Sequence, residues 1–96
     1  MPPAWTFLTN HALVFSFLAG KPQITARELA ASIGITERAV RRIIADLDEA
    51  GYISKEKEGR RIRYSINPDL SLRHHTHWEV PVGNFLKALG WKQRRA

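Results

Sequence analysis

The side chains best equipped for chemistry in this sequence are basic, and they stand in two tight groups. Arg38, Arg41 and Arg42 come first, preceded by Thr36 and Glu37. Lys55, Lys57, Arg60, Arg61 and Arg63 follow, with Glu56 and Glu58 interleaved among them. A guanidinium is a planar fork of donors that matches a phosphate or the edge of a guanine, and an ammonium adds a mobile point charge. These residues offer a grip on a polyanion rather than a bond-making step.

A third group, His74, His75 and His77 in the run HHTH, brings imidazole nitrogens of the kind that hold zinc or nickel. No cysteine accompanies them, and the nearby carboxylates are only Asp69 and Glu79. A polar connecting segment is the plainer reading. No metal and no other cofactor is therefore expected, and His74, His75 and His77 are the candidates if a metal does bind. Catalysis finds no support either. There is no glycine-rich phosphate loop, no nucleophile elbow and no carboxylate pair in an apolar setting. An enzyme is not expected.

The balance of charge points the same way as the basic groups. Fifteen Lys and Arg against nine Asp and Glu give the 96 residues a net +6, which suits a polyanionic partner. That length is enough for one core and too short for two, so residues 1–96 are expected to form one domain. The absence of cysteine fits a reducing compartment. The apolar run 12–19 is too short to span a bilayer and has Thr9, Asn10 and His11 before it instead of a basic leader. A cytoplasmic protein with no membrane partner is expected.

Several elements must position the basic groups. Pro2 and Pro3 open an extended arm carrying Trp5, Phe7 and Leu8, and Thr9 or Asn10 can cap a first helix that Gly20 and Pro22 stop. This helix is apolar on nearly every side, so it is expected to be half core and half interface. Gln23 and Ile24 suggest a brief strand. Thr25 and Glu28 form a capping box for a second helix, with Leu29, Ala30 and Ile33 facing inward. Gly34 reverses the chain and Thr36 caps a third helix. Along it, Val40, Ile43, Ile44 and Leu47 follow the spacing of one buried stripe.

Residues 52–57 and 60–66 read as two strands around a Glu58-Gly59 turn. Ile62, Tyr64 and Ile66 alternate with Arg61, Arg63 and Ser65, which predicts one buried and one charged hairpin face. The domain core is expected over about 9–68, followed by an irregular connection at 69–80. A last helix at 81–90 and a basic tail from Trp91 to Ala96 complete the chain. The fold class predicted is mainly α with a small β-hairpin (α+β).

Leu29, Ala30, Ile33, Gly34, Ile35, Val40 and Ile43 fall where a helix-turn-helix wants its core, its small residue at the crossing and its turn glycine. With the hairpin added, residues 9–68 resemble the winged-helix domain of MarR-like and ArsR-like bacterial transcription regulators. The resemblance implies a winged helix-turn-helix, here with an extra C-terminal helix, that binds double-stranded DNA. It places the third helix in the major groove, offering Thr36, Glu37, Arg38, Arg41 and Arg42. It lays the wing, with Lys55, Lys57, Arg60, Arg61 and Arg63, along the backbone or into the minor groove, and Arg60 and Arg61 flank the tip.

Apolar side chains in excess of what a small monomer should expose predict a homodimer, and with it a repressor on a pseudo-palindromic site. The expected interface is Trp5, Phe7, Leu8, Val14, Phe17, Leu18, Val82, Phe85, Leu86 and Leu89, joined by Trp78 and Trp91. Two other uses of the fold stay open on the residues alone. One is docking to protein or RNA. The other is a ligand- or metal-responsive sensor, whose further partner would be an unidentified small-molecule effector.

Overall fold

Three hydroxyls start three helices. In the computed structural model, which describes residues 4–92, the elements in order are α1 (Asn10–Gly20), α2 (Ala26–Ile33), α3 (Glu37–Glu49), β1 (Ile53–Glu58), β2 (Arg61–Ile66) and α4 (Val82–Ala88). Thr9, Thr25 and Thr36 each accept a hydrogen bond from the backbone N–H three residues on, which satisfies one of the donors a helix start leaves open. At Thr25 the box closes in both directions, because Glu28 Oε1 accepts from the Thr25 N–H at 3.0 Å. Pro2, Pro3 and the tail beyond Lys92 lie outside the described residues.

Gly34 joins α2 to α3 at φ 86°, a left-handed conformation that costs glycine nothing. Its N–H and that of Ile35 both return to the Ala30 carbonyl, so the turn closes in a minimum of chain. Helices α1 to α3 then enclose Val14, Leu18, Leu29 and Val40, and α4 adds Val82 and Leu86 to the same core. No polar or charged side chain is buried among the described residues. The architecture is an α+β winged helix-turn-helix with a helix appended.

The expectation for α1 needs correction. Val14 and Leu18 are fully enclosed by the chain's own elements, as are Val82 and Leu86, so these four offer no surface to a second copy. The apolar girdle of α1 is consumed by α2, α3 and β2 packing around it. Of the expected interface, Trp5, Phe7 and Leu89 stay exposed, while Leu8, Phe17 and Phe85 are half-buried. Trp78 is exposed and Trp91 packs partly on the core.

The hairpin turn lies one residue later than expected. Glu58 pairs with Arg61 across the ladder, which leaves Gly59 and Arg60 as a two-residue loop. Gly59 takes φ 61° and Arg60 stays at negative φ, the pattern of a type II′ turn, whose twist suits a hairpin. This register also sets Glu56 opposite Arg63. A shift by one residue would replace those pairings, and opposite charges across a ladder are favourable.

Gln23 and Ile24 form no strand. The Pro22 carbonyl accepts from the Tyr64 N–H at 2.8 Å, but Pro22 has no N–H to return, so a ladder does not build from it. Ile24 is buried in the core instead.

The segment between the hairpin and α4 is more ordered than a plain connection. It is pinched at its base by the Leu72 N–H to Val80 O bond and holds a single 3-10 turn, His75–His77. Gly83 then brings α4 against Pro68 so closely that a Cβ there would lie 2.8 Å from Pro68 Cβ. Within α4 the inward stripe is Val82 and Leu86; Leu89 lies beyond the helix and outside the core.

Candidate nucleic-acid interface

The burial of Val40, Ile43, Ile44 and Leu47 fixes which way α3 faces. At about 100° per residue, Arg38 and Arg42 then lie some 40° apart on the side turned away from the core. Both are exposed, and neither has a carboxylate within ion-pair distance among the described residues. Arg41 leans toward the hairpin side, with its guanidinium 3.6 Å from Glu37 one turn back. The pair is well exposed, so it contributes little to stability and leaves the arginine able to exchange partners. The Thr36 hydroxyl is occupied by its cap bond to the Ala39 N–H.

The acidic half of α3 is turned to other work. Asp46 meets His11 Nε2 at 2.8 Å on α1, and Asp48 meets Lys55 Nζ at 3.6 Å on β1. These contacts tie the far end of the helix to its two neighbours. The first half is left with positive charge.

The register of the hairpin divides the wing cations that the sequence groups together. Residues paired across a ladder share a face. Glu56, Glu58, Arg61 and Arg63 therefore share one face, and Lys55, Lys57, Ile62 and Tyr64 share the other. On the first face Arg63 lies 4.0 Å from Glu58, Gln23 donates to that same Glu58, and Arg61 donates to the Gln23 carbonyl at 3.2 Å. Arg61 thus serves first as an anchor that holds the wing to the segment before α2, while Arg63 is engaged within the hairpin. Lys55 is engaged by Asp48, while Lys57 and Arg60 have no carboxylate partner among the described residues.

Between α3 and the wing lies a cleft of about 340 Å³. Arg41, Ile44 and Ala45 line it from the helix, and Lys55, Arg60, Arg61, Ile62 and Tyr64 from the hairpin. Burial pushes the Tyr64 phenol above its ordinary pKa of 10.0, so it stays neutral beneath these cations. Behind the cleft, the backbone N–H and hydroxyl of Thr25 hold the Glu28 carboxyl below its usual value, with Arg61 and Lys21 adding smaller attractions.

Sequence reasoning missed Ile62 as part of this surface. Strand alternation assigned it to the buried face, yet it is 43% exposed because the hairpin runs past the helices that cover its base. The sequence held no signal for this, because Lys57 lies opposite Ile62 only in the observed register.

The histidines gather around a hydroxyl. Thr76 Oγ1 lies 2.8 Å from His74 Nδ1 and 3.0 Å from His77 Nδ1, while the Thr76 N–H also points to His74 Nδ1. One consistent assignment has Thr76 donating to His74 and accepting from His77. Among the described residues, no group of three or more His, Cys, Asp or Glu is arranged to hold a metal ion.

A second hollow, about 430 Å³ and mostly apolar, lies where Phe7, Phe15, Leu72, Val82 and Phe85 meet beneath His11, Arg73, His74 and His77. Leu47 of α3 reaches it from below. No helix among the described residues is long and apolar enough to cross a membrane.

The family model of the MarR family matches residues 6–62, from just before α1 to the first residues of β2. No curated protein matches the chain.

Proposed function

This chain belongs to the MarR family of DNA-binding transcription regulators, and from that membership we propose that it reads specific duplex sites as a homodimeric repressor. In this reading α3 enters the major groove, where the base edges carry a distinguishable pattern of donors and acceptors. Arg38 and Arg42 meet base edges or phosphates there, with Arg41 released from Glu37 to join them. Lys57 and Arg60 of the wing grip the flanking backbone or minor groove, and Lys55 does so only at the expense of Asp48.

The single observation behind this reading is the sorting of charge on α3. Its exposed first half carries Arg38 and Arg42 without a carboxylate partner among the described residues, and two acids of its second half, Asp46 and Asp48, are drawn to His11 and Lys55. A surface for docking protein would have no need of that arrangement. RNA is a poorer fit as well, because the deep, narrow major groove of A-form RNA does not admit side-chain readout. Replacing Arg38 and Arg42 together by alanine tests the reading: duplex affinity should fall by at least about a hundredfold, on the scale of two charge-assisted contacts, with the fold intact. Unchanged affinity would refute it.

Dimerisation is supported by the aromatic surface that remains outside the core. Phe7 is 91% exposed and packs edge-on against Trp5, itself 68% exposed, at a centroid distance of 4.9 Å. A two-fold dimer that reads a pseudo-palindromic site needs its two copies of α3 about one DNA turn, roughly 34 Å, apart. We read residues 1–96 as one domain without catalytic function, acting in the cytoplasm where its DNA ligand lies.

The apolar hollow beneath Arg73 favours a second, compatible reading. A small effector seated there would touch Leu47 and so bias the set of α3, linking its own affinity to that of DNA. A thermal-shift screen of small apolar anions checks this. A hit that raises Tm must also change DNA affinity; a hit without coupling contradicts the effector role.

A further inference from the structure

Ile62 is a large aliphatic side chain left in the open among cations, and we propose that it is an apolar DNA contact on the wing. This rests on the reading of the chain as a reader of duplex DNA. Its strand neighbours on the same face, Tyr64 and Ile66, turn into or against the core, while Ile62 remains 43% exposed.

Its surroundings define what it can meet. Lys57 lies directly across the ladder, and no carboxylate shares that face of the hairpin. Arg60 at the tip is two residues away, about 7 Å at strand rise. Arg41 and Ala45 stand across the cleft. An apolar group fenced by positive charge suits a ligand that alternates apolar and negative surface. A DNA strand does this, since its deoxyribose rings are flanked by phosphates. The same basic face would repel itself, which argues against a second copy of the chain as occupant.

Lys57 and Arg60 therefore hold phosphates while Ile62 packs on the sugar edge between them at the minor groove. Other minor-groove binders also use apolar side chains, inserting them as wedges between base steps, whereas Ile62 meets the sugar edge. The contact adds affinity without adding charge. That difference separates it from every other contact on the wing.

The test measures duplex affinity at several salt concentrations for the wild type, I62A, I62T and R60A, with melting temperature and sedimentation recorded for each. I62A and I62T should bind about five- to tenfold more weakly, the scale of a partly buried aliphatic side chain. Their dependence on log salt should match that of the wild type. R60A should lose about 0.9 from the slope, as one phosphate contact fewer. Wild-type affinity in both Ile62 variants overturns the proposal. So does a loss that follows a fall in melting temperature, or a change in oligomeric state in place of DNA affinity. A wild type that binds no duplex at any salt would instead sink the underlying reading.

Discussion

Arg42 and Arg63 carry the same guanidinium, yet among the described residues only Arg63 of the two has a carboxylate beside it, Glu58 at 4.0 Å. An arginine already paired must break that contact to hold a phosphate, whereas Arg42 has nothing to give up. R42A should therefore weaken duplex binding more than R63A does, by about tenfold or more, on the usual scale of a charge-assisted contact. Equal losses measured side by side would contradict this division. Residue chemistry also decides the fate of Gly83. Alanine in a helix interior is worth up to about 1 kcal/mol over glycine. At Gly83, however, the added methyl would meet Pro68 Cβ at 2.8 Å and Pro68 O at 3.1 Å, and Pro68 cannot swing aside. Overpacking of this kind costs about 1–3 kcal/mol, so G83A should lower Tm despite its better helix propensity. A raised Tm would show that α4 is free to lift off.

At the scale of elements, the helix starts are controlled by single hydroxyls. T36A removes the acceptor for the Ala39 N–H at the mouth of α3 and should cost about 1 kcal/mol in chemical denaturation. The box before α2 has a pH signature. Glu28 titrates below its ordinary 4.5 because the folded state favours its carboxylate. Its contribution is therefore complete above pH 4.5 and fades as pH falls through the lower folded value. The Tm difference between wild type and E28A should narrow below pH 4.5, and a difference constant with pH would exclude the charged box.

These helices were legible in the sequence because caps and a 3.6-residue stripe are local signals. The Thr25-Glu28 box, Gly34 and the α3 stripe all sit where the residues place them. What depends on distant partners was not legible. Hairpin register turned on which charges face each other, and a one-residue change at Gly59 moved Arg60 from strand to turn. Periodicity likewise marked Ile62 as inward but carried no measure of how far the hairpin outruns the helices. Arg61 looked like a ligand group, and its attachment to the Gln23 carbonyl arises only when the chain has folded back on itself.

For the whole molecule, the question is what the apolar surface and the uneven charge do together. Four expected interface residues were absorbed by the core, because α2, α3 and β2 pack around α1 and α4 turns Val82 and Leu86 inward. Trp5 and Phe7 still project, and F7S should convert the proposed dimer to monomer in sedimentation while leaving Tm within a few degrees. A dimer that persists would move the interface elsewhere. The basic residues act at the same scale in the proposed dimer, where Arg38, Arg42, Lys57 and Arg60 of each copy would meet one duplex in sum.

Salt measures that sum most directly. The affinity of the intact protein for a duplex selected from a random pool should be followed as a function of salt concentration. With about 0.9 per phosphate neutralised, log affinity should fall with a slope of roughly 3 to 4 for each protomer. A selected duplex whose binding does not weaken with salt, or a pool from which no duplex is enriched, would contradict the account.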